Sequence, residues 1–150
     1  MKAKTISRAV LVAGILILGG LTACSRAPEQ GAAAKADALP WSHDLTAAMA
    51  QAGNQNKLVM VDFYTDWCVW CKRLDDTTYA DAGVKRALEG VVLVKLNAEK
   101  DGRSDAARFR VNGYPTVLFL NAAGTEVARI PGYLPPGQFL AELQHILKRA

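Results

Sequence analysis

The stretch "LVMVDFYTDWCVWCK", Leu58 through Lys72, decides the fold. Its first half, residues 58–64, is a nearly continuous apolar run, the pattern of a strand buried on both faces. Its second half places Cys68 and Cys71 three residues apart, each preceded by or next to a tryptophan, Trp67 or Trp70. A strand that runs into a helix here puts Cys68 at the helix N-terminus, where unpaired backbone N–H groups and the helix dipole favour a thiolate. Cys68 is therefore expected to be the nucleophile. Cys71, one turn further in and less open to solvent, is expected to resolve the mixed disulfide that Cys68 forms.

Two thiols at this spacing have other uses, and the remaining residues weigh against them. A structural zinc site wants four ligands, and the chain has no second cysteine pair; His43 and His145 lack ligand spacing. A purely structural bridge across so short a loop restricts the unfolded chain little. Redox cycling is the leading use. The alternative from another class is a lipoprotein that holds a metal ion, copper most plausibly, or docks a partner without turnover. A copper carrier would be expected to supply a nearby histidine or methionine, and Met60 lies on the buried strand.

Asp62 stands inside the apolar run, where burial raises the pKa of a carboxyl group. Six residues before the nucleophile, it could take and return the proton of Cys71; a structural aspartate bonded to backbone or to a lysine fits the spacing equally well. Around this centre the pattern predicts helices over 42–52, with Ser42 as N-cap, from the cysteines to about residue 79, over 84–88, 104–109 and 138–148. Further strands are predicted over 91–96, 116–120 and 127–130, the last two joined as a hairpin through residues 121–124. Strands and helices that alternate and then close with a hairpin and a helix predict an α/β fold with a central mixed sheet.

The N-terminus differs in kind. Lys2, Lys4 and Arg8 precede an apolar run over 10–21, too short for a comfortable membrane span, and "LTAC" closes it at Cys24. This reads as a bacterial lipoprotein signal over 1–23, with Cys24 acylated and the chain anchored in a membrane through its lipid. Residues 24–40, rich in Ala, Gly and Pro, read as a flexible tether of roughly 20–25 Å, and 41–150 as one domain. Residues 1–23 hold three of the 18 basic residues and none of the 14 acidic ones, so the remainder carries 15 against 14. With charge so nearly balanced, no nucleic-acid partner is expected.

"VDFYTDWCVWCK" (61–72) resembles the active-site strand and helix of the thioredoxins. "VKLNAEKD" (94–101), "VNGYPTVLFL" (111–120) and "IPGYLPPGQFLAEL" (130–143) follow in that family's order and spacing, so the resemblance covers residues 57–147. It implies a thioredoxin-like fold, with helices flanking the central mixed β-sheet. Asp62 matches the family's buried acid and Lys95 its lysine partner, Pro115 after Tyr114 its cis-proline, Trp67 the tryptophan beside the nucleophile, and Gly132 a glycine near the substrate groove. Between the cysteines the thioredoxins have Gly-Pro where this chain has Val69-Trp70. "DWCV" followed by any residue and "CK" is more similar to the C-terminal domains of DsbD-type reductases and related thioredoxin-like lipoproteins. Those domains carry an acidic residue near the position of Asp75, which lies on the face of Cys68 and Cys71 if the helix is regular; a solvated surface residue also fits. Trp70 is expected to be exposed and to select partners.

The resemblance implies a membrane-tethered thiol:disulfide oxidoreductase on the periplasmic side of a bacterial envelope. It would act mainly as a reductase of disulfides in exported proteins, recharged by a DsbD-like membrane donor, with no bound cofactor or metal. A monomer is the default. Substrate, donor, membrane and the oxidase or isomerase directions stay open.

Overall fold

The computed structural model describes residues 38–150; Cys24, the expected signal and most of the expected tether lie outside them. The first helix, α1 (Leu45–Gln55), starts three residues later than its pattern implied. Its cap is Asp44, whose Oδ1 accepts the Ala47 N–H at 3.0 Å. This corrects the expectation for Ser42: a carboxylate in extended backbone at the first turn both accepts an orphan N–H and complements the helix dipole. Ser42 instead lines the sheet edge, donating its N–H to Leu93 and accepting from Lys95, each at 2.9 Å.

The sheet has four strands in the order β2-β1-β3-β4. Strand β1 (Val59–Tyr64) pairs in parallel with β2 (Val92–Asn97), and β3 (Thr116–Leu120) runs antiparallel to β1 and to β4 (Glu126–Pro131). The hairpin closes through Asn121, whose side chain accepts the Ala123 and Thr125 N–H groups, and Gly124 at φ 77°.

Because side chains alternate across a strand, each strand feeds two cores. Val59, Val61, Phe63, Val94, Leu96 and Leu118 pack beneath α1 and the short α4 (Arg103–Arg108). Met60, Leu93, Val117 and Phe119 face the other way, with Leu74, Val84, Phe139 and Leu143 from the helices α2 (Val69–Arg73) with its continuation, α3 (Ala82–Leu88) and α5 (Pro136–Arg149). Asp62 stands opposite Lys95 on β2 and Val117 on β3. Both charged residues therefore occupy the register of the second core. This is the expected thioredoxin-like arrangement of a mixed sheet between helices.

The segment after the cysteines departs from a regular helix. α2 passes into a π-helical turn over Leu74–Thr78, in which Tyr79 N–H bonds Leu74 C=O across five residues at 2.9 Å. π turns inside helices recur at functional sites.

Candidate active site

The site is built where β1 ends and α2 begins. Cys68 is in extended backbone as the N-cap of α2, and its sulfur accepts the Cys71 N–H at 3.0 Å. The two cysteines are joined in a disulfide, with Cα atoms 5.3 Å apart. Cys71 is 2% exposed and Cys68 only 4%, so the nucleophile candidate is itself nearly covered. A sulfur that caps a helix receives N–H dipoles, which stabilise it once it is reduced to the thiolate.

Exposed apolar side chains surround the bridge. Trp67 is 65% exposed and Trp70 54%, and Val69 is exposed between the cysteines. The Trp67 indole N–H donates to Glu99 Oε1 at 3.1 Å, and its ring meets Tyr114 edge-on at 6.0 Å. Glu99 is held in turn by the loop after β2: Asn97 accepts the Glu99 N–H and donates to Asp66. On the other flank, Trp70 lies 5.5 Å from Tyr133 at 30° between planes, and the Arg73 guanidinium sits 5.8 and 5.6 Å from the two ring centres. Trp70, Tyr114, Gly132 and Tyr133 line one shallow cleft. The Tyr114–Pro115 peptide is cis, and Pro115 C=O accepts the Gly132 N–H at 2.8 Å. The structure thus brings Trp67, Trp70, Tyr114, Pro115 and Gly132 together from three separate segments.

Asp62, Lys95 and Asp75 form a second group. Asp62 is 1% exposed, and burial pushes its carboxyl up to about 6 against the opposing pull of Lys95. Lys95 Nζ approaches Asp62 Oδ2 at 3.2 Å and also pairs with Asp75. Burial alone would lower the Lys95 pKa, but the Asp62 charge and the Asp75 hydrogen bond outweigh it and hold the ammonium form. Asp75, which a regular helix would put on the face of the cysteines, engages this lysine through its carboxylate. Three rings, Trp41, Tyr64 and Tyr79, enclose Lys95 Nζ with centres 5.3–5.6 Å away. A cleft of about 580 Å³, the larger of those near the site, opens over this lysine rather than over the disulfide.

Sequence reasoning missed Tyr79, Tyr133, Glu99 and Trp41. Tyr133 follows Gly132 inside a quoted motif and was open to notice; the placement of Tyr79 depends on the π turn, which no local pattern announces. Among the described residues, no group of three or more His, Cys, Asp or Glu side chains could hold a metal ion, and no helix is long and apolar enough to cross a membrane.

Residues 45–147 match the family described as "Thioredoxin-like domain". The thiol:disulfide interchange protein DsbD of Yersinia pestis (strain Pestoides F) is 39% identical over 106 residues, covering 67% of this chain and 18% of that protein. The chain therefore spans about a fifth of the length of the curated relatives it matches. Among solved structures, a thioredoxin from Thermus thermophilus superposes with a TM-score of 0.66 at 32% identity, covering 73% of this chain and 88% of the other. The oxidised C-terminal domain of DsbD from Neisseria meningitidis gives 0.60 at 23% identity, with 70% and 97% covered.

Proposed function

This chain belongs to the thioredoxin-like family of thiol:disulfide oxidoreductases, and from that premise we propose that it is a lipid-tethered reductase of disulfides in exported proteins. The observation that carries the reading is the Cys68–Cys71 bridge at the N-cap of α2, set between exposed Trp67 and Trp70 beside the cis Tyr114–Pro115 peptide. A structural bridge has no need of an exposed aromatic surround.

In the reduced protein, the Cys68 thiolate attacks one sulfur of a substrate disulfide. The substrate S–S bond breaks, a Cys68–substrate bond forms, and the displaced substrate thiolate takes a proton. Asp62 then accepts the Cys71 proton, and the Cys71 sulfur attacks Cys68. The Cys68–Cys71 bond forms as the second substrate thiol leaves, so two electrons pass from the protein dithiol to the substrate. Return to the dithiol needs a donor, and the DsbD similarity supports a membrane dithiol of that type. Trp67, Tyr114, Pro115 and Gly132 form the surface that receives the extended substrate segment. Lys95 and Asp75 set the charge around Asp62. Residues 1–23 act as the export signal, Cys24 bears the lipid, 24–40 form the tether, and 41–150 work as a monomeric domain in the periplasm.

Insulin reduction driven by a small dithiol tests the activity: Cys68→Ser abolishes it, and Cys71→Ser accumulates the mixed disulfide. Stoichiometric metal retention lost in Cys68→Ser, without insulin reduction, would support the metal-carrier alternative instead. Acid-quenched alkylation in intact cells tests direction, and a mostly dithiol population is expected. For Trp70, replacement with Ala should lower the exchange rate with a protein disulfide about tenfold and that with a small dithiol less than twofold, the scale of an aromatic contact. Equal losses on both would show that it has no part in partner choice.

A further inference from the structure

Tyr79 is packed as a core phenylalanine would be, yet it carries a hydroxyl. Its ring meets Trp41 edge-on at 5.1 Å and Phe139 at 5.7 Å, and the residue is 4% exposed. The hydroxyl is buried without a hydrogen-bond partner, and so are both carboxylate oxygens of Asp62; the Lys95 contact at 3.2 Å is an ion pair without hydrogen-bond geometry. Buried polar atoms are rarely left this way. Here the residues that carry the orphan donor and the two orphan acceptors flank the same ammonium group, Lys95 Nζ being 5.6 Å from the Tyr79 ring centre and 3.2 Å from Asp62 Oδ2. Each also bears on the other's ionisation: the Tyr79 hydroxyl favours the charged form of Asp62, and after burial itself the Asp62 charge is what most raises the Tyr79 phenol.

We propose that Tyr79 is a positioning residue for Asp62, its hydroxyl donating to the carboxylate when Asp62 is ionised and accepting from the carboxylic acid when it is protonated. The reason lies in what each neighbour can offer. An ammonium group only donates, so Lys95 serves the ionised form alone, whereas a phenol donates and accepts. A base that must take a proton and return it in every cycle gains from a partner that satisfies both states. The π turn supplies the placement: the five-residue spacing of Leu74 and Tyr79 turns both inward, each buried. Asp62 is faced by Lys95 from β2, Asp75 from the π turn and Tyr79 after it, while Lys85 of α3 lines the cleft above. α5 contributes Phe139 and the N-terminal segment Trp41.

The rate arm of the test rests on the proposed redox reading; the titration arm does not. In the mature chain, Asp carboxyl and Tyr ring carbons are labelled with carbon-13 and titrated. Tyr79→Phe keeps the ring contacts and removes only the hydroxyl. The Asp62 midpoint, pushed up to about 6 chiefly by burial, should rise by about one unit, because the hydroxyl's bond to the charged carboxylate is stronger than its bond to the neutral acid. Insulin reduction at pH 6 should then fall about fivefold, the loss in ionised fraction that one unit produces, and the two rate profiles should converge above about pH 8. A midpoint that stays or falls overturns the proposal. In the native chain, which needs no variant to fold, the Tyr79 Cζ resonance should step at the Asp62 midpoint and lose that step in Asp62→Asn; a flat response overturns it as well. If the native chain reduces no insulin while the Asp62 midpoint still moves in Tyr79→Phe, the redox reading fails and the hydrogen bond stands.

Discussion

Asp62 concentrates a cost to the stability of this fold in one side chain. Its carboxyl is raised to about 6 in the folded chain from 3.8 without the fold, chiefly by burial. Between those values the folded protein binds more protons than the unfolded chain, so stability falls as pH rises through the interval and the loss is complete above it. The difference corresponds to roughly 2–3 kcal/mol. Replacing Asp62 with Asn removes the ionisation and keeps the shape, while Asp75 remains to pair Lys95. Denaturant unfolding should find Asp62→Asn more stable than the native protein by about 1–3 kcal/mol at pH 7.5, with the gap closing below pH 4. The same variant should resolve mixed disulfides more slowly at neutral pH. A native protein equally stable at pH 4 and 7.5 would mean that Asp62 is not ionised at a cost, and its role as a base would lose its basis.

At the scale of elements, the loop after β2 decides where Glu99 stands and so how Trp67 is held. Gly102 sets the approach of that loop to the sheet: a Cβ there would lie 2.6 Å from Leu96 Cβ and 3.1 Å from the Asn97 carbonyl oxygen, atoms that cannot swing aside. Gly102→Ala should therefore destabilise the domain by about 2–3 kcal/mol, the usual scale of overpacking. It should also change Trp67 fluorescence more than a remote substitution of equal cost; unfolding at the native midpoint would mean that the loop yields freely. This packing was invisible in the sequence, where nothing singles out Gly102. Legibility followed locality elsewhere too. β1 was legible because a strand buried on both faces must be apolar throughout, and Asp62 was conspicuous as the exception. The cap of α1 was misread because Ser42 and Asp44 are both good caps, and only the pairing of Ser42 with β2 separates them. The π turn had no signature, since it differs from a helix by one hydrogen-bond spacing. Asp75 was legible as a residue of interest, though its pairing with Lys95 was not, and Tyr79 was not noticed.

For the whole molecule, the proposed reductase role asks how a domain that spans 18% of its DsbD relative would meet an electron donor. A tether between Cys24 and the domain would confine it near a membrane, which turns a bimolecular encounter into one between molecules sharing a thin layer. Effective concentrations under short flexible linkers reach the millimolar range, so anchoring would raise the rate of recharging without any added contact. The lipid should then matter to the redox state in cells and not to the chemistry in solution. The test exchanges residues 1–23 for a conventionally cleaved export signal and replaces Cys24 with Ser. Purified, this variant should reduce insulin at the native rate, because the residues that build the Cys68–Cys71 site all lie within residues 38–150. In cells it should leave the membrane fraction, and alkylation should count a several-fold smaller share of Cys68 and Cys71 as free thiols. An unchanged dithiol share in the released protein would mean that recharging does not depend on confinement, and a donor that diffuses in the same compartment would have to replace the membrane donor in the scheme.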